Sequence, residues 1–172
     1  MSIAIAKINK GNWIVNGVPV RATSEITLPA LEAKAEEGEE IALFGTPEYV
    51  AGLDVMEAEF KLSGFDKDAI AAGANIFDIQ QFICLFNADV YQNGQISERA
   101  SVRATLRGMA KEMSPLELSG GEFSESEFTF GVRYYKLEYG GQTLFEIDVD
   151  NNIYIVNGED KMASVRANLG MA

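Results

Sequence analysis

Met56-Glu57-Ala58-Glu59-Phe60-Lys61-Leu62 decides how the rest of the chain is read. Met56, Ala58, Phe60 and Leu62 fall on one side of an extended backbone, and Glu57, Glu59 and Lys61 fall on the other. Successive side chains of a strand point to opposite faces, so this alternation describes a strand with one face buried and one in water. The pattern recurs over residues 100–108, where Ala100, Val102, Ala104 and Leu106 oppose Ser101, Arg103, Thr105 and Arg107. It returns over 127–137, with Phe128, Phe130, Val132 and Tyr134 predicted inside and Thr129, Arg133 and Tyr135 outside. Aromatic and β-branched residues crowd these stretches, as pleated, half-buried surfaces favour.

Turn dipeptides separate the strands. Asn16-Gly17, Asn93-Gly94, Gly140-Gly141 and Asn157-Gly158 each lie between apolar runs. Asn-Gly and Gly-Gly suit the positive φ angles of two-residue hairpin loops, so the chain reads as an antiparallel β protein. Two helices interrupt it. Asp66 is placed to cap a short helix over 67–74, weakened by Gly73, and residues 159–169 predict a C-terminal helix with Met162, Val165 and Leu169 on one side and Gly170 as its stop. Residues 33–50 carry Glu36, Glu37, Glu39 and Glu40 with no regular period, and read as a long acidic loop. Phe44 and Tyr49 within it are out of place in a purely solvated segment.

The 172 residues fit a single domain spanning 1–172, long enough for its own core. A formal charge of −12 repels phosphates and anionic membranes, and the nearest approach to a basic cluster is Arg99, Arg103, Arg107 and Lys111, strung over residues 99–111. The one cysteine, Cys84, sits in an apolar run and reads as a buried, inert thiol. No stretch has the form of a signal peptide or a membrane span, which predicts a protein made in the cytoplasm with no membrane anchor.

Chemistry is hard to build from this composition. There is no histidine, which removes the usual general base, the serine and cysteine triads and most zinc sites. Phosphate-loop and dinucleotide fingerprints are missing. Carboxylate pairs such as Glu57 with Glu59, or Glu125 with Glu127, sit two apart on strands and are commonplace in an acidic chain. Asp148, Asp150, Asn152 and Glu159 occupy calcium-loop positions 1, 3, 5 and 12. However, position 6 is Ile153 instead of glycine, so a turn between strands explains the run better. The expectation is a non-enzyme with no catalytic residues, metal or cofactor.

Colinear motifs go further. Trp13-Ile-Val-Asn16-Gly17 and Glu25-Ile-Thr-Leu28-Pro29-Ala-Leu31 are followed by Gly52-Leu53, Met56 to Phe60 and Gly64-Phe65. Thr105-Leu-Arg107-Gly108, Gly121-Glu122, Tyr134 to Glu138 and Glu146-Ile-Asp148 come next, then Val156 to Asp160 and Arg166-Ala-Asn168-Leu169-Gly170. In this order they resemble the major tail tube proteins of contractile-tailed phages and R-type pyocins, with the segments 36–49 and 66–99 matching poorly.

The resemblance implies a mainly β antiparallel barrel or sandwich with a short flanking helix and a short C-terminal helix. It implies hexameric rings stacked into a hollow tube inside a contractile sheath, a conduit for DNA passage or membrane puncture in a virion tail or phage-tail-like particle. The implied partners are further copies of the chain, the tail sheath protein, the tape-measure protein, and baseplate and tail terminator proteins, with DNA only as non-adhering cargo. Glu36, Glu37, Glu39, Glu40, Phe44 and Tyr49 become candidates for contact between rings. Glu57, Glu59, Lys61, Arg103 and Arg107 become candidates for the lumen, Arg103 and Arg107 having the alternative of pairing with acids across subunits. A type VI secretion tube, a monomeric β binding module and a carboxylate hydrolase are the competing readings.

Overall fold

The computed structural model describes residues 4–38 and 44–171. Along them run β1 (Ile5–Val15), β2 (Val18–Val20), β3 (Thr23–Thr27), β4 (Ala33–Glu37), β5 (Glu48–Leu53), β6 (Met56–Ser63) and α1 (Lys67–Ala74). There follow β7 (Gln80–Gln92), β8 (Gln95–Met113), β9 (Glu125–Tyr139), β10 (Gln142–Asp148), β11 (Ile153–Val156), β12 (Glu159–Asp160) and α2 (Ala163–Asn168). Ten strands form one sheet in the order β12-β11-β10-β9-β8-β7-β1-β2, with β6 joined to β9 and β3 to β6. Every described ladder is antiparallel. The four turn dipeptides adopt the expected left-handed backbone at both central residues, for example Asn16 at φ 48° and Gly17 at φ 85°.

The sheet curls until β1 and β3 lie side by side without a ladder between them. Inside the curl, Trp13 stacks on Phe60 at a centroid distance of 4.2 Å, and Phe82 meets Phe130 at 4.4 Å. These rings are fully buried, each contributing about 1.5–3 kcal/mol through the water it sheds. The alternation of β6 is as predicted, with Met56, Ala58, Phe60 and Leu62 buried and Glu57, Glu59 and Lys61 outside. Helix α1 covers one end of the core through Ala69 and Ala72, and Asp66 caps it by accepting from the backbone N–H of Asp68 (3.0 Å) and Ala69 (3.1 Å). Gly73 weakens this helix for a reason: a Cβ there would stand 2.2 Å from the Phe128 ring.

Three expectations are corrected. Residues 33–37 and 48–50 are strand and not loop: β4 and β5 pair as a separate two-stranded hairpin, Ala33 facing Leu53 and Glu37 facing Glu48. The period failed there because both faces of the hairpin are exposed. Tyr134 and Tyr135 are exchanged, Tyr135 being buried and Tyr134 lying on the outer face with its hydroxyl on Glu146 (2.9 Å). The cause is a bulge at Arg133, where β9 passes from β6 to β10 and slips by one residue against β8.

The third correction concerns the C-terminus. Its helix begins at Ala163 because Glu159 and Asp160 pair with β11, and Val165 and Leu169 are exposed instead of packed. Arg166 ties α2 down, donating to the Asn152 carbonyl (2.9 Å) and to Asp160 (3.2 Å). That guanidinium holds the Asp160 carboxyl below its ordinary value. The contribution is therefore present above the ordinary carboxylate range and is lost as pH falls through the lowered value. Protection of the 163–168 amides, taken relative to their intrinsic exchange at each pH, should fall in acid and not near neutrality; in Arg166→Ala it should be low throughout.

Candidate assembly surface

Two exposed features stand out from the sheet. The first is the β4–β5 hairpin, none of whose described residues is buried. Glu36 and Glu37 lie on β4, and Tyr49 is the register partner of Glu36 on β5. Phe44 is fully exposed near the tip, and Val50 is 76% exposed. Glu39 and Glu40 lie outside the described residues. An isolated two-stranded hairpin is marginal in water, and apolar groups of this size gain nothing from solvent, so both point to a partner surface.

The second is the polar face of the sheet. Glu57, Glu59 and Lys61 share it with Arg103 and Arg107, but β9 runs between the two groups. Glu57 is ion-paired with Lys111, reaching across the row where Gly131 has no side chain. Lys61 pairs with Glu25 at 3.4 Å, which raises its pKa. Arg103 approaches Glu138 at 4.0 Å, and Glu138 also holds Lys136 at 3.4 Å. Arg107 lies 3.6 Å from Asp148, with its guanidinium 4.2 Å over the Tyr134 ring. Both arginines thus have acidic partners in their own chain.

Glu138, Asp148, Lys111 and Tyr134 were missed as members of this face. The alternation of residues 134–138 and 144–148 could have found some of them, had the bulge at Arg133 been visible. Asp148 is buried, and its carboxylate accepts from the backbone N–H of Asp150 (3.1 Å) and Asn151 (3.3 Å), which makes the calcium-like run a hydrogen-bonded turn. Burial pushes the Cys84 thiol up to about 12, so it stays protonated and unreactive at neutral pH. Burial also raises Tyr134 to about 12, helped by its hydrogen bond to Glu146.

The same architecture occurs in solved assemblies of an extracellular contractile injection system. A chain of the PVC sheath–tube complex of an extracellular contractile injection system in its extended state superposes with a TM-score of 0.55 at 6% identity, covering 75% of this chain and 88% of that one. A chain of the PVC sheath/tube terminator gives 0.52 at 7% identity, covering 75% and 93%. In sequence, the tail tube protein of Escherichia phage P2 is 30% identical over 173 residues, 96% of this chain and 97% of that protein. The model of the family described as phage tail tube protein FII matches residues 5–170. The chain belongs to this family of phage tail tube proteins. It is a structural component of a virion tail or phage-tail-like particle and not an enzyme.

Proposed function

We propose that six copies of the chain close into a ring, and that rings stack into a hollow tube inside a contractile sheath, serving DNA passage or membrane puncture. The observation that carries this reading is the exposed β4–β5 hairpin, paired apart from the ten-stranded sheet and carrying the exposed apolar groups Phe44 and Val50. We assign its Glu36, Glu37, Phe44 and Tyr49 to contact between rings. The sheath–tube and terminator contexts of the two structural neighbours support a sheath protein and a terminator as partners. Tape-measure and baseplate proteins follow from the family resemblance.

Negative-stain electron microscopy of the purified chain at rising concentration, with and without a baseplate seed, tests the reading. Rings or hollow tubes are expected; an 18.8 kDa species under every condition would overturn it.

The polar face is assigned to the lumen, led by Glu57 and Glu59. The lysines and arginines named on this face are each matched by a carboxylate, so a polyanion in transit would meet no unpaired one of them. Glu57→Lys with Glu59→Lys should leave tubes assembled but reduce DNA delivery by about tenfold or more, as polyanion binds the wall. Normal delivery through normal tubes would remove this face from the lumen.

A further inference from the structure

Asn16-Gly17, Asn93-Gly94 and Asn157-Gly158 repeat one dipeptide in three tight turns, with the asparagines at φ 48°, 52° and 49°. Asparagine is a chemically labile residue, and it is most so before glycine. Its carboxamide lies within reach of the next backbone nitrogen, which a glycine leaves unobstructed. Ring closure between the two costs the turn its geometry, so its rate follows how often the turn opens.

The three turns differ in how firmly they are held. Asn16 is locked on every side. Its Oδ1 accepts from the Gln81 N–H (3.0 Å), its Nδ2 donates to Gln80 Oε1 (3.3 Å), and its own N–H donates to the Gln81 carbonyl (2.9 Å). Behind it the register partners Trp13 and Val20 are both fully buried. Asn93 closes a turn between strands of thirteen and nineteen residues. Asn157 has neither support. It is exposed together with Gly158 and Glu159, and its carboxamide makes no hydrogen bond among the described residues. The ladder behind it has only the pairs Val156 with Glu159 and Ile155 with Asp160, and β12 is the last strand of the sheet. Few contacts and exposed backbone make such a turn cheap to open.

We infer that Asn157 is a self-modifying residue, converted by its own neighbour to aspartate and isoaspartate, and that this conversion unfastens the C-terminal helix. The Gly158 nitrogen gives up its proton and bonds to the Asn157 Cγ. The C–N bond of the carboxamide breaks, and its nitrogen leaves with that proton as ammonia. Water then opens the cyclic imide at either carbonyl. Both products place a new negative charge beside Glu159 and Asp160. Isoaspartate also routes the backbone through Cβ, adding a methylene to a two-residue turn that has no slack for it. β12 then loses its register, and Asp160 its place. That carboxylate accepts from the Met162 N–H (3.0 Å) and from Arg166 (3.2 Å), the contacts that start and fasten α2. Nothing in α2 is buried to hold it otherwise.

Peptide mapping by mass spectrometry of the full chain, aged in warm and mildly alkaline buffer, tests the site, with isoaspartate counted by enzymatic methylation. Conversion at Asn157 should run about tenfold or more ahead of Asn16 and Asn93 and quicken with pH, as attack by a deprotonated amide requires. Aged chains separated by ion exchange are then followed by amide exchange. Isoaspartate at 157 should lower protection over 159–168, whereas Asn157→Asp, which adds the charge without the methylene, should retain it. An Asn157 that persists, or converts no faster than the other two, would overturn the site. Undiminished protection in the isoaspartate form would overturn its hold on α2.

Discussion

Replacing residues 34–52 with two glycines is expected to abolish tubes without unfolding the protein. Ala33 and Leu53 are register partners at the base of the β4–β5 hairpin, so a two-residue turn can rejoin them in place. The backbone bond from Asp54 N–H to the Glu32 carbonyl (2.8 Å) lies below the cut and survives. Leu53, the hairpin residue that packs against the core, is retained. Since none of the excised described residues is buried, stability should change by no more than about 0.5 kcal/mol, roughly 1–2 °C in Tm. Thermal unfolding checks the first half, and microscopy the second: rings or monomers, but no stacks. Tubes of ordinary length from the shortened chain would show that the hairpin is dispensable, and a large fall in Tm would make it a structural element instead.

Gly108→Ala should have the largest effect on stability of any single methyl group added to the sheet. A Cβ at Gly108 would lie 2.1 Å from the Gly131 carbonyl oxygen and 3.0 Å from the Val132 Cα. Both are backbone atoms in the middle of the β8–β9 ladder, beside the bulge that lets β9 exchange β6 for β10, so neither can yield without breaking pairs on two sides. Overpacking of this kind costs about 3 kcal/mol or more, which for a chain of this size lowers Tm by roughly 10 °C. Gly131→Ala is the control. It adds the same methyl group on the adjacent strand, where a Cβ meets nothing within 4 Å, and should be close to neutral. Equal responses of the two variants to heating would show that the close approach at Gly108 is not what sets the cost.

The contrast between these two glycines also marks how far the sequence could be read. β6 and the core half of β8 were legible because one face of each is buried, which imprints a period of two on Met56–Leu62 and Ala100–Leu106. The four hairpin turns were legible because few dipeptides tolerate two consecutive positive φ angles. The hairpin over 33–53 and the first half of β1 were not, since strands exposed on both faces carry no alternation. The reversal of Tyr134 and Tyr135 was equally hidden: a bulge shifts every later side chain to the other face, and nothing in Gly131-Val132-Arg133 announces it.

Of the candidate residues, the alternation identified Glu57, Glu59, Lys61, Arg103 and Arg107 as a polar face. It could not show that Lys111, Glu25, Glu138 and Asp148 answer four of the five, because those partners come from neighbouring strands whose register the sequence does not state.

β8 has a mechanical consequence. Its nineteen residues run unbroken from Gln95 through the core, laddered to β7 along nearly all of the first two-thirds and to β9 from Val102 onward. At about 3.3 Å per residue it is a rod of roughly 60 Å. A force applied along it loads the hydrogen bonds of both neighbours in shear, many at once, whereas a force across it would peel them one by one. The subunit is therefore stiff in the direction of its long strands and compliant across them, the anisotropy of a stave.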